Sequence, residues 1–354
     1  MLPPMPHRIF DTHCDAVIRV VNEHADLALR SDAGHIDVPR LLAGGVGCQV
    51  FACFVQRGSP DDDPAARADR MMDAVADLAR IPEVVIPRTF EQLAALRDDA
   101  GHVGVLLAVE GGDALAGKVS RVDELRERGV RYITLAWADN DLTGSAFGKG
   151  GGLTGLGKDV VRRMNARGVL VDVSHMSDAA FADLSRATDR PFIASHSNCR
   201  ALCDSPRNLT DDQVREVAAR GGAIGVMLAP GFLSEDYRRA EAPVMARYLP
   251  RLGAHPDRVA EIMAEAQAEM VGVKRPASDV VFRHIEHIVE VGGIACAALG
   301  SDFDGIPATP TDLPDCSEYQ VVARLLEAHG CSGDEIEAVC WSNWERVFRQ
   351  TFDV

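Results

Sequence analysis

Four things are missing from this 354-residue sequence, and each absence narrows what the chain can be. No apolar run reaches eighteen residues, so no transmembrane helix and no membrane partner are expected. The first residues, Met-Leu-Pro-Pro-Met-Pro-His-Arg, offer neither an apolar h-region nor a small-residue cleavage site, which argues against a secretory signal. There is no excess of basic charge. With 37 Lys and Arg against 53 Asp and Glu the net charge is −16, and a nucleic-acid partner, which needs a basic face, is not expected. Finally, there is no cysteine framework. The nine Cys are odd in number and scattered, and several sit inside apolar runs (Cys48, Cys53, Cys296, Cys340). They are expected to be buried free thiols in a reducing compartment, so the protein is expected to be cytoplasmic.

What is present is an apolar content of 47%, enough for a full core. Eight short apolar runs punctuate the chain, at residues 8–15, 47–55, 103–111, 132–137, 170–175, 192–196, 223–228 and 297–302. Most are rich in β-branched residues and close on a polar one. Helical patterns lie between them, at residues 61–81, 90–96, 122–128, 157–167, 177–187 and 211–219, with Ser177 and Thr210 placed as N-caps. Strand and helix alternating eight times predicts an α/β (β/α)₈ TIM barrel. Residues 230–277 are too long for one connection and predict a helical insertion after the seventh strand. Residues 318–352 predict two closing helices. With no repeat, low-complexity tract or linker, residues 1–354 are expected to form one domain.

In such a barrel the active site lies at the C-terminal ends of the strands. Taken in order, those ends carry His13 and Asp15, Glu110, His175, His196 and Asp302. His13 and Asp15, two residues apart, would share one face of a strand. Three imidazoles and three carboxylates converging on one mouth suit zinc or a similar divalent ion, and they exceed what one tetrahedral ion needs. Two ions sharing Glu110, whose carboxylate has two oxygens, would use them all and could hold a hydroxide between them.

These residues lie in stretches that resemble the membrane dipeptidase family, the renal dipeptidases of the amidohydrolase-like barrels. The matching pieces are DTHCD (11–15), AVEGGDAL (108–115), RYITL (131–135), GLTGLGKDVVRRMNARGVLVDVSHMS (152–177), PFIASHSNCRAL (191–202), PRNLTDDQ (206–213) and GSDFDGIP (300–307). The resemblance implies two zinc ions per chain, with His13 and Asp15 on one, His175 and His196 on the other, and Glu110 bridging. It implies that Asp302 accepts and then donates a proton beside the bridging water, and that Arg207 holds the carboxylate of a dipeptide. The implied activity is hydrolysis of dipeptides, L-Xaa-D-Xaa included, by a homodimer. One position departs: where the mammalian pattern has a substrate-binding His, this chain has Trp137, which puts the mammalian substrate range in doubt. Asp304 shares the strand face of Asp302, and is expected to contact substrate or orient a ligand.

Two other functions fit parts of this pattern. One is a related amidohydrolase acting on N-acyl amino acids or another amide or lactone. Such enzymes often bridge their metals with a modified Lys on the fourth strand, and YITLAW has none. The other is a catalytically silent barrel, against which the full ligand set argues. The near-match of GLTGLGKD (152–159) to a phosphate-binding loop places Asp159 where Ser or Thr must reach magnesium, and it follows no apolar strand. His284 and His287, on a helical pattern before the last strand, are expected to be surface or packing residues. Cys14 is expected to point away from its ligand neighbours.

Overall fold

Nine short strands, all parallel, organise the computed structural model, which describes residues 7–58, 63–254 and 258–352. They are β1 (Ile9–Cys14), β2 (Val46–Phe54), β3 (Val84–Val85), β4 (Val103–Glu110), β5 (Val130–Thr134), β6 (Leu170–Asp172), β7 (Phe192–Ile193), β8 (Ile224–Val226) and β9 (Ala297–Leu299). Eight of them run β7-β6-β5-β4-β2-β1-β9-β8, and a bridge between Ala194 and Ile224 brings β7 to β8. The ring is thus an eight-stranded barrel with helices around it. β3 lies outside the ring, paired only to the start of β4, and no run in the sequence pattern announced it.

The helical expectations fall where the periodicity put them. Pro64–Asp77 fills most of the pattern at residues 61–81, whose first two residues lie outside the described ones. Ser177 caps its helix by accepting from the Ala180 N–H, and Thr210 forms a capping box with Gln213. After β8 the chain leaves the ring through Pro230–Leu233, Glu235–Ala254 and Val259–Glu269. This excursion has its own small core of Tyr248, Ile262 and Ala266. Two helices near the ring, Ala16–Glu23 and Val38–Ala43, have no counterpart in the helical patterns of the sequence.

The barrel interior is sealed from below by the C-terminal segment. Phe10, Cys48, Val50, Leu106, Ala108, Tyr132, Leu170, Ile193, Ala223 and Ala298 meet Trp341, Trp344 and Phe348 in one buried cluster. Phe10 lies 5.4 Å from Trp341 and 5.2 Å from Phe348, ring centre to ring centre. The Trp344 indole donates to the Leu299 carbonyl. A five-residue π turn, Ala338–Ser342, carries Trp341 into this plug between the helices Gly333–Glu337 and Asn343–Arg349. Helix Gln320–Ala328 precedes them. With its base plugged, the barrel can open only at the strands' C-terminal ends.

His284 is a packing residue, as expected, and it ties the excursion to the ring. It is buried. Its Nδ1 accepts from the Cys199 N–H and its Nε2 donates to the Leu233 carbonyl, so the ring is neutral with the proton on Nε2. Burial lowers its pKa from 6.5 to about 4. A depressed folded pKa means that, below the unfolded value, the unfolded chain binds a proton the folded chain refuses. Stability is therefore lost as pH falls through the window from 6.5 to about 4. Between pH 7 and about pH 4.5 this amounts to about 2 kcal/mol. Urea unfolding of wild type and His284→Gln at both pH values should show the variant less stable at pH 7 but losing about 2 kcal/mol less on acidification. Equal losses would remove His284 as the cause.

Candidate active site

Strict alternation along β1 would send His13 outward. Ile9 packs in the layer between ring and helices and Phe10 in the barrel interior, so odd positions should face out. The pairing of β1 with β2 shifts register between Asp11 and Cys14. That irregularity turns His13 inward, where its Nδ1 meets the Tyr132 hydroxyl at 2.9 Å, and leaves Cys14 in the outer layer as expected. Asp15 follows the strand at the N-cap position of helix Ala16–Glu23. Its side chain caps nothing, because the carboxylate turns toward His13 instead, with Oδ2 at 3.6 Å from His13 Nε2.

Glu110 ends β4 and keeps the inward alternation of Leu106 and Ala108. The next residue, Gly111, has φ 105°, and a Cβ there would sit 2.0 Å from the Val55 carbonyl oxygen, so the turn that lets Glu110 finish the strand requires glycine. The two Glu110 oxygens face different partners. Oε2 lies 3.3 Å from His13 Nε2, while Oε1 lies 3.0 Å from His175 Nε2 and 3.5 Å from His196 Nε2. His175 and His196 approach each other to 3.0 Å between Nε2 atoms.

His175, His196 and Asp302 do not lie on strands. Each stands three residues past the end of one, and His175 and Asp302 adopt left-handed backbone, φ 67° and 64°. Asp302 Oδ1 reaches to 4.0 Å from His13 Nε2. A Cβ at position 305 would fall 2.4 Å from that oxygen and 2.2 Å from Asp15 Oδ2, so Gly305 leaves room for both carboxylates. Asp11 accepts from the Ser301 N–H and hydroxyl, which ties the Asp302 loop to β1.

The site is buried and its charges are out of balance. Burial, with Glu110 nearby, pushes Asp15 up to about 6, and burial pushes Asp302 well above the usual carboxylate range. Burial also acts upward on Glu110, but the facing imidazoles outweigh it and hold Glu110 well below that range. His175 is lowered to about 4 by burial and by the charge of Arg207. His13 Nε2 and Asp15 Oδ1 are buried with no hydrogen-bond partner. Three groups place ligand atoms within 4.8 Å of one another: His13, Asp15 and Glu110; Glu110, His175 and His196; His13, His196 and Asp302. Orphaned acceptors, crowded carboxylates and imidazole nitrogens aimed at one space fit divalent metal.

The remaining expectations divide. Arg207 is buried beside the ligand cluster. Its Nη1 donates to Ser197 at 2.8 Å and its Nη2 to the His196 carbonyl at 2.6 Å, while Nε has no partner. Trp137, half-buried, packs against Phe54 at 5.1 Å and against His175 at 6.3 Å, forming a wall. Asp304 does not lie where the strand pattern puts it. The chain has left β geometry by position 302, and Asp304 too has φ 64°, so the two aspartates do not share a strand face. The Asp304 carboxylate is buried and accepts from the His35 N–H at 2.6 Å, with Arg19 at 3.5 Å. It anchors the loop around His35 and does not present a free carboxylate to substrate.

Beneath the candidate ligands lies a layer of polar residues that no sequence motif marks: Thr12, Tyr132, Thr134, Asp172, Ser174 and Ser195, all fully buried. The signal was available. Tyr132 and Thr134 alternate inward on β5, Asp172 ends β6, and Ser195 immediately precedes a ligand candidate.

The fold is a parallel eight-stranded barrel with candidate metal-binding imidazoles and carboxylates gathered at its one open mouth. The comparison with known families is specific. The profile described as membrane dipeptidase (peptidase family M19) matches residues 5–354, and the chain belongs to that family, making it a dipeptidase of the metallopeptidase kind. Similar proteins include an uncharacterized dipeptidase of Schizosaccharomyces pombe, 28% identical over 357 residues, covering 94% of this chain and 77% of the relative. A dipeptidase of Claviceps purpurea is 29% identical over 340 residues, covering 91% and 70%. Among solved structures, a metallo peptidase from Rhodobacter sphaeroides superposes with a TM-score of 0.82 at 23% identity, covering 98% of this chain and 100% of that one. The probable dipeptidase PvdM of Pseudomonas aeruginosa gives 0.85 at 21% identity, covering 99% and 96%. Among the described residues no helix is long and apolar enough to cross a membrane.

Proposed function

We propose that this chain hydrolyses the peptide bond of dipeptides, L-Xaa-D-Xaa among them, at a two-zinc centre. The observation that carries the reading is Glu110, whose two oxygens face separate ligand groups, as a bridging carboxylate must. His13 and Asp15 would hold one ion, and His175 and His196 the other. When bound, such a pair supplies an activated water and polarises the scissile carbonyl. Asp302, placed beside His13 and His196, takes the proton of the attacking water and returns it to the leaving amine. Trp137 closes the His175 side and bounds the space for the substrate side chain. The Rhodobacter sphaeroides protein was solved with a phosphinate mimic of L-Ala-D-Ala, which supports the L,D preference. The nine free thiols, eight of them buried, support a reducing cytoplasmic setting.

Arg207 would hold the substrate carboxylate. Only two of its five N–H donors are spent within the fold in its hydrogen bonds to Ser197 and His196, and Nε is unpartnered. Arg207→Lys replaces a planar fork by a point charge, and KM for dipeptides should rise about 10–100-fold with zinc content unchanged. The same substitution should leave C-terminal dipeptide amides, which have no carboxylate, nearly unaffected. Equal effects on both substrate sets would place the carboxylate elsewhere. The reading as a whole is tested by assaying zinc-loaded protein against L-L, L-D and D-L dipeptides and N-acyl amino acids. Turnover of dipeptides, L-D pairs foremost, is expected. Turnover of N-acyl amino acids with none of dipeptides would overturn it.

A further inference from the structure

Under the ligand histidines lies a short chain of hydrogen bonds whose proton positions can be deduced. Asp172 is fully buried at the end of β6. Its Oδ1 accepts from the backbone N–H of Ser174 at 3.0 Å and of Ser195 at 2.8 Å. Its Oδ2 accepts from the hydroxyls of Thr134 at 2.5 Å and Ser195 at 2.6 Å. The Ser195 hydroxyl is the donor to Oδ2, so its proton points at Asp172. The Ser195 oxygen is then left as an acceptor toward His196 Nδ1, 2.7 Å away. That nitrogen must carry the ring proton, and Nε2, which faces Glu110, keeps its lone pair. A nearer hydroxyl serves His13, whose Nδ1 stands 3.5 Å from the Ser195 oxygen. Tyr132 donates to the Thr12 carbonyl at 2.7 Å, so its oxygen accepts from His13 Nδ1 at 2.9 Å.

We propose that Asp172, acting through Ser195, and Tyr132 are positioning residues that fix the Nδ1–H tautomers of His196 and His13 and so aim both Nε2 lone pairs into the metal cluster. The inference rests on the reading of His13 and His196 as metal ligands. A partner that sets the tautomer of a ligand histidine commonly changes metal affinity by about 10–100-fold when lost.

The geometry makes an unusual ordering of variants. In Asp172→Asn the two backbone N–H groups at Oδ1 hold the amide oxygen in place, so the amide nitrogen must take the position of Oδ2. There it donates to Ser195, whose hydroxyl then donates a hydrogen bond to His196 Nδ1. The ring is then forced to carry its proton on Nε2, the atom that should bind metal. Ser195→Ala only removes the constraint and leaves the ring free to choose. The near-isosteric change should therefore be the more damaging one.

The test is zinc affinity of the purified full chain, by competition with a chromophoric chelator, alongside melting of the chelator-treated proteins. Ser195→Ala should weaken zinc binding about 10-fold and Asp172→Asn about 100-fold. The double variant, in which no hydroxyl remains to be reversed, should return to the Ser195→Ala level. An ordinary packing role predicts additive losses instead, and additivity, or Asp172→Asn milder than Ser195→Ala, overturns the proposal. Should Asp172→Asn fail to fold, Tyr132→Phe tests the other arm: about 10-fold weaker zinc binding is expected, and wild-type affinity overturns it. His196→Ala and His13→Ala separate the premise from the relay. If they bind zinc like wild type, the ligand reading fails. If they lose zinc while the Asp172→Asn protein keeps wild-type affinity, the relay alone fails.

Discussion

Glu110→Gln is expected to lower kcat/KM for dipeptides by about 10³-fold or more, roughly 4 kcal/mol of transition-state stabilisation, and to leave fewer than two zinc ions per chain. The substitution is nearly isosteric, so the reason is chemical. A carboxylate offers an oxygen to each side; an amide offers one oxygen and one N–H donor. In the fold, Oε2 serves the His13 side and Oε1 the His175 and His196 side, with separations of 3.3, 3.0 and 3.5 Å. Whichever way the amide lies, one group of ligands meets a donor where a cation should be. The side chain is buried at the end of β4, and Gly111 lets the chain turn immediately after it, so the site has little freedom to adjust. Metal content by atomic spectroscopy and steady-state kinetics on the same sample decide the matter. Two tightly held ions together with more than about a tenth of wild-type kcat/KM would show that Glu110 is not shared between them.

Asp302→Asn is expected to lower kcat by about 10²–10⁴-fold while KM and zinc content change little. Asn matches the volume of Asp and cannot accept a proton. It also tolerates the left-handed backbone at this position, where φ is 64°, so the loop is not disturbed. Alanine would be the less informative choice, since it adds backbone strain and empties the space that Gly305 leaves for the carboxylate. Activity retained with both ions bound would take the proton transfer away from Asp302. Loss of an ion would make it a ligand, consistent with its place beside His13 and His196 in one of the candidate groups.

Much of this site was legible because its residues punctuate apolar runs. Glu110 closes VGVLLAVE, His175 closes LVDVSH and His196 closes FIASH, and a barrel brings such ends to one mouth whatever the details. The face arguments transferred less well. The i, i+2 rule put His13 with Asp15 and Asp302 with Asp304. The first pair does meet, but through a register shift in β1 and a turn into a helix cap. The second does not, because the rule holds only inside a strand and β9 ends at Leu299. Short strands were overextended for the same reason. Apolar patterning continues past the last ladder hydrogen bond, whereas the candidate ligands His175, His196 and Asp302 sit in the loops that follow.

The sequence by itself determined the alternation of strand and helix, the excursion after β8, the closing helices and the candidate ligands, since each is written in residue type and spacing along the chain. Only the tertiary structure decided which oxygen of Glu110 faces which histidine, that Asp304 anchors a loop, and that the Ser195 and Tyr132 hydroxyls meet the imidazoles of His196 and His13. Those are relations between side chains far apart in sequence, such as Tyr132 and His13 at a separation of 119 residues. They arise where closure of the ring forces buried polar groups to find partners, and no local pattern encodes a partner that lies across the barrel.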